Sequence, residues 1–280
     1  MAYNSSGAFE GCESLTTLAR PNSYPYNTIY SYTYKNCKNL TQAFDLSDVT
    51  SIQDYAFEGC AKVTGFTLGQ LNNLSQGAFY NCSSITSIDF PAGCTFTRLN
   101  TSVFENCTSL QTVTFASDCK ITDFDNKAFK NSGLTSIIIP PRSTVFHDEV
   151  FKDCSSLRTI DFSNINSIIL GTSCFENCTS LEELDFSHFT GWSNWSSTPR
   201  DVYKGCTSLT TVKFPDVDNI RITFNAFEGD INLSTLVYPS AGFEGVWERA
   251  FRNTGLTEFP TGAFIREREV SERCFEGSRI

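Results

Sequence analysis

A small residue, an aromatic, two variable positions and a cysteine recur along the chain. The copies are Phe9/Cys12, Tyr34/Cys37, Phe57/Cys60, Phe79/Cys82, Phe104/Cys107, Phe129/Ser132, Phe151/Cys154, Phe175/Cys178, Tyr203/Cys206, Phe227/Asp230, Phe251/Thr254 and Phe275/Ser278. Successive aromatics lie 22 to 28 residues apart, mostly near 24, across nearly the whole chain. A fixed period of this size marks a repeat architecture in which each unit contacts only its neighbours. Residues 1–280 therefore read as one repeat domain of about twelve units.

After each cysteine slot comes a second apolar series: Ile85, Ile88, Phe90; Leu110, Val113, Phe115; Leu157, Ile160, Phe162; Leu181, Leu184, Phe186; Leu209, Val212, Phe214. Its last two members are two apart, the period of a strand with one buried face. Pro91, Pro140, Pro215 and Pro239 follow, where a residue without an N–H ends a ladder. Upstream of each aromatic, an apolar residue stands four or five positions earlier (Ile52, Leu74, Leu99, Phe124, Phe146, Leu170, Ile222, Val246, Val270). A small one stands immediately before it (Ala56, Ala78, Ala128, Cys174, Ala226, Ala250, Cys274). That spacing predicts a short helical turn facing inward. Each unit reads as strand, corner, helical turn, corner, an α/β repeat. No single unit buries its apolar face, but stacking brings Phe onto Phe and Leu onto Leu, each large side chain contributing about 1.5–3 kcal/mol.

The run from Ala78 to Pro91, AF-x-x-C-x-x-L-x-x-[IV]-x-F-P, resembles the BspA-like class of leucine-rich repeats, and the resemblance covers almost all of the chain. It implies a right-handed horseshoe solenoid with a concave parallel sheet. It also implies a non-enzymatic protein-binding module, an adhesin or host-interaction protein displayed on the cell surface or secreted. Ser132, Asp230, Thr254 and Ser278 depart from the cysteine slot, and the corners at Gly133 and Gly255 are one residue short, so these units are expected to pack less well.

Charge changes the list of partners. With 21 Lys and Arg against 31 Asp and Glu the net charge is −10, which disfavours nucleic acid. The opening MAYNSSGAFEGC lacks a basic and apolar leader, and no apolar run is long enough for a span, so no membrane insertion is expected within this chain. The chain starts almost inside a unit and stops five residues after Phe275, so further repeats, a leader or an anchor are expected outside it.

All twelve cysteines fall in repeat positions, and the eight behind the aromatic read as buried free thiols. Cys94 and Cys119, in matching corners of adjacent units, leave a disulfide open. The sequons Asn81, Asn106 and Asn177 coincide with the corner motif and read first as turn residues. Free thiols and the missing leader keep a second reading alive, an intracellular (cytoplasmic) structural or assembly scaffold.

Chemistry is sparse. His147 and His188 stand outside any catalytic motif, Asp123 and Asp125 fail calcium-loop spacing, and no zinc spacing or phosphate loop occurs. No cofactor or metal is called for. What remains is the polar column alternating with the buried strand residues, and the candidate binding residues on the concave face are Asp89, Thr112, Thr114, Asp161, Glu183, Asp185, Thr211 and Lys213. The acids among them would meet a basic patch on a protein partner. The longest unit adds Trp192 and Trp195 in a Ser/Gly-rich bulge, either interface anchors or a flap folded back on the outer shell.

Overall fold

The computed structural model describes residues 5–18, 27–192, 199–259, 270–271 and 273–280. Two sets of short strands wind along it. The first set is β2 (Phe44–Leu46), β4 (Phe66–Leu68), β6 (Ser87–Phe90), β8 (Thr112–Phe115), β10 (Ser136–Ile138), β12 (Thr159–Asp161), β14 (Glu183–Asp185), β15 (Thr211–Lys213) and β17 (Thr235–Val237). The second set is β1 (Thr28–Ile29), β3 (Ser51–Ile52), β5 (Asn73–Leu74), β7 (Arg98–Leu99), β9 (Asp123–Phe124), β11 (Val145–Phe146), β13 (Ile169–Leu170), β16 (Arg221–Ile222) and β18 (Gly245–Val246). Every pairing is parallel and joins strands one repeat apart, within sheets of two to four strands. From β1 to β14 and again from β15 to β18 the described chain alternates between the two sets, the arrangement of a solenoid.

The first set carries the apolar series read from the sequence. Ile88 pairs in register with Val113, Ile137 with Ile160, and Leu184 with Val212 and through it with Leu236. Pro91, Pro140, Pro215 and Pro239 stand just past the strand ends.

The second set corrects the expected helical turn: no helix occurs among the described residues. Ile52, Leu74, Leu99, Phe124, Phe146, Leu170, Ile222 and Val246 lie in two-residue strands, and Val270 makes a parallel bridge to Val246. The segment behind each strand is a chain of turns. The N–H groups of Tyr55, Phe57 and Gly59 donate to Gln76, Ala78 and Tyr80 of the next coil at 3.0, 2.9 and 2.8 Å. Those of Ala56, Glu58 and Cys60 donate three residues back, to Gln53, Tyr55 and Phe57. Left-handed residues two before and two after the aromatic enforce the alternation, as Tyr55 at φ 52° and Gly59 at φ 70° do. A left-handed residue every fourth position is incompatible with a right-handed helix. Half the N–H groups are therefore released to bond the neighbouring coil, and the backbone groups remain satisfied without a helix.

Between the two sets lies one core cluster dominated by aromatic and aliphatic side chains. Its spine is a column of twelve stacked rings from Phe9 to Phe275, one per repeat, with neighbouring centroids 4.9–5.7 Å apart. These spacings fall in the favourable range for offset-stacked rings. The two shortened corners close tightly rather than loosening. A Cβ on Gly133 would lie 2.3 Å from the Thr108 carbonyl oxygen, and one on Gly255 2.7 Å from that of Ile231. The missing residue is offset by a glycine that lets one backbone rest on the next, and Leu134 and Leu256 stay buried.

Candidate functional site

The first strand set presents two outward columns, in the register the sequence implies. Ser87 pairs with Thr112, Ser136 with Thr159, and Glu183 with Thr211 and through it with Thr235. In the second column Asp89 pairs with Thr114, Ile138 with Asp161, and Asp185 with Lys213 and through it with Val237. All eight candidate residues of this face lie on its strands. Asp89, Thr112, Thr114, Asp161 and Glu183 are exposed; Asp185, Thr211 and Lys213 are half-buried.

Their electrostatics are less uniformly acidic than the sequence suggests. Lys213 Nζ sits 2.5 Å from Glu183 and 3.0 Å from Asp185, so one ammonium is shared by two carboxylates. Partial burial raises the Asp185 pKa, but the Ser187 hydroxyl and amide and the Lys213 ammonium outweigh it and hold the carboxyl below its ordinary value. Asp161 has no such cation. Its Oδ1 accepts the Ser163 amide at 2.8 Å in a local turn, and hydrogen bonds from Ser163 hold its carboxyl low. The Thr114 hydroxyl donates to Asp89 across the register. Among the eight candidates, the carboxylates outside the Lys213 pairing are therefore Asp89 and Asp161. The strand alternation in the sequence already places Ile138 and Val237 in this column, though not among the candidate binding residues, and they stand exposed at 59% and 46%. Their signal was available, two aliphatics at outward positions of a polar column.

Trp192 does not stand out into solvent as an anchor. It is half-buried and packs edge-on against Phe186 and Phe214, with centroids at 5.2 and 5.9 Å, so it belongs with the core. Trp195 lies outside the described residues.

The histidines serve corners and pairs. His188 Nε2 lies 3.1 Å from the Phe162 and Ile165 carbonyls of the preceding coil. His147 Nε2 lies 3.5 and 3.3 Å from Asp123 and Asp125, which also pair with Arg98. Among the described residues no three His, Cys, Asp or Glu side chains converge to hold a metal ion, and no helix is long and apolar enough to cross a membrane.

The cysteines have a positional reason. Cys37, Cys60, Cys82, Cys107, Cys154, Cys178 and Cys206 each donate S–H to the carbonyl of an earlier coil's aromatic, at 3.0–3.2 Å. Ser278 Oγ does the same to Phe251 at 2.5 Å. The slot takes a small buried donor, which is why serine can replace cysteine there. Cys94 and Cys119 are both buried free thiols. The sequon residues Asn81, Asn106 and Asn177 adopt left-handed φ of 59°, 62° and 61°, the geometry of turn residues.

This parallel-strand solenoid with one aromatic and one small donor per coil is the fold of a leucine-rich-repeat protein. The family model described as "BspA type Leucine rich repeat region (6 copies)" matches residues 4–98, 72–196 and 196–280, and the chain belongs to that family. Among solved structures it is similar to a leucine rich cell surface protein of Faecalibacterium prausnitzii, with 20% identity and a TM-score of 0.51 over 85% of this chain and 73% of that one. It is likewise similar to the leucine-rich repeat protein of T. pallidum, with 24% identity and a TM-score of 0.51 over 59% of this chain and 76% of that one. A leucine-rich repeat protein of Bacteroides ovatus aligns at 19% identity and TM-score 0.50 over 89% of this chain and 79% of that one. A search of curated proteins finds no match.

Proposed function

We propose that the chain is a non-enzymatic protein-binding module, a single repeat domain displayed on a cell surface or secreted, with an adhesin-type role and the first strand set as its binding face. The observation that carries this reading is the outward column Asp89–Thr114, Ile138–Asp161 and Asp185–Lys213–Val237, in register within each of three successive parallel sheets, which offers carboxylates, hydroxyls and exposed aliphatics. Family membership supports the module, and the Faecalibacterium prausnitzii relative, named a cell surface protein, supports the location. The test is capture of extracellular-matrix and host-surface proteins by the immobilised chain and by an Asp161→Ala, Glu183→Ala, Asp185→Ala variant of equal melting temperature. Retention by the first and loss by the second is the expected result; equal retention removes the face from the account.

The second reading, an intracellular scaffold, is favoured by one observation, the eleven buried unpaired cysteines, a thiol-rich composition that suits a reducing compartment. Intact mass of protein from its native source separates the two: added glycan supports export, an unmodified mass the scaffold.

A further inference from the structure

The first strand set has a groove at one of the breaks in its ladder, between β8 and β10. Strands β6 and β8 pair with each other, β10 and β12 pair with each other, and the two pairs are separate sheets. Just past β8, the Ala116 amide bonds back to Phe90 at 3.1 Å. Just past β10, the Ile139 amide bonds forward to Asp161 at 2.9 Å. The ends of β8 and β10 are thus drawn toward opposite neighbours, and the space between them opens into a groove of about 290 Å3 whose walls include Thr114, Phe115, Ile138, Pro140, Pro141 and Asn164. An enclosed apolar cavity of about 150 Å3 suffices for benzene. This groove has the volume for a branched aliphatic or aromatic side chain, and its walls are mostly apolar.

The charges on either side are matched. Asp89 sits one strand before Thr114 and Asp161 one strand after Ile138, both exposed and both clear of the Lys213 pairing. Paired strands stand about 4.7–4.9 Å apart, so β6–β8 and β10–β12 are one such step each and, with the open β8–β10 interval between them, the two carboxylates stand at least about 14–15 Å apart across the groove. An extended peptide advances about 3.4 Å per residue, so side chains at positions i and i+4 lie about 14 Å apart on one face, with i+2 between them over the groove.

We propose that this groove docks an extended protein segment carrying a large apolar residue with a lysine or arginine two positions to either side, the apolar side chain entering between β8 and β10 and the cations meeting Asp89 and Asp161. The proposal rests on the protein-binding reading and names the partner's chemistry. Ile138→Thr removes the apolar wall with a residue that the same column already holds at Thr67 and Thr114. Asp161→Asn removes one charge.

The test is fluorescence titration of the full chain with three labelled peptides: one containing Lys-Ser-Leu-Ser-Lys, one with both lysines replaced by glutamate, and one with leucine replaced by serine. Saturable binding of the first, at least tenfold weaker binding of the other two, and a tenfold loss on Ile138→Thr are expected, with Asp161→Asn weakening the first peptide and reducing its salt dependence. Arg142, next to Pro141, makes the glutamate peptide a direct test of the rim's sign. Equal binding to wild type and Ile138→Thr, equal binding of the glutamate peptide, or no binding of the first peptide overturns the proposal. The capture experiment reads the wider protein-binding role separately, so each can fail without the other.

Discussion

The ring of Phe104 lies 5.5 Å from that of Phe79 and within 3° of parallel to it, and Phe129 continues the stack on the other side at 5.4 Å. Phe104 is fully buried. Removing it takes out both the side chain's own burial and two stacking contacts with neighbouring coils, leaving a gap that the rigid backbone ladder cannot close. Phe104→Ala is expected to cost about 3–5 kcal/mol, read from urea unfolding; a loss below about 1 kcal/mol would contradict the role of the ring column.

Asp230 occupies the cysteine slot of its coil, fully buried, with Oδ1 accepting the Cys206 amide at 2.8 Å. Burial pushes its carboxyl well above the ordinary carboxylate range, and the Cys206 and Gly205 amides offset only part of that. A group whose folded pKa is raised contributes stability fully present below its unfolded value, about 3.9, and lost as pH rises toward and through the folded one. Asp230→Asn keeps the acceptor and removes the proton. Its melting temperature is expected to exceed wild type at pH 8 and to converge with it near pH 4; calorimetry at both pH values checks this.

Thiol chemistry should separate one cysteine from the rest. Cys12 is exposed and the other eleven are buried. Desolvation carries Cys37 and Cys154 to about 11, so little thiolate exists at neutral pH even where a reagent reaches them. Titration of the folded chain with an aromatic disulfide reagent is expected to show one fast thiol, lost in Cys12→Ser, and the remainder only on unfolding.

Lys213 holds Glu183 and Asp185 together. Lys213→Ala leaves two carboxylates on the same face of β14, two residues apart, without a cation. The Asp185 pKa is expected to rise, measured by carbon-detected titration of the carboxyl, while the fold persists because the pair sits on the outer face.

Strand positions were legible because two signals coincide in them, the repeat of the whole unit and the two-residue alternation of Ile88 with Phe90 or Leu184 with Phe186. The second strand set was misread as helical because an apolar residue five before an aromatic and a small one just before it fit a helical turn and a strand-plus-turn equally well. The discriminating residues were present: Asn36, Gly59, Asn81, Asn106 and Asn177, two past each aromatic, are types that tolerate left-handed φ and suit no helix interior. The face columns were legible from register, whereas the sharing of Lys213 between two acids depends on side-chain geometry that spacing does not carry. Trp192 was ambiguous for a similar reason, since its unit departs in length from the others and period gives no orientation there.

The central claim is that the first strand set, and not the second, meets the partner. The direct measurement is surface plasmon resonance of a captured partner against two variants of equal melting temperature. One carries Asp161→Ala, Glu183→Ala and Asp185→Ala on the first set; the other carries Arg98→Ala on the second set and Glu244→Ala at the entry to its last strand. Loss of at least tenfold in affinity with the first variant and none with the second is the predicted result. The reverse pattern, or equal affinity in both, would contradict the account.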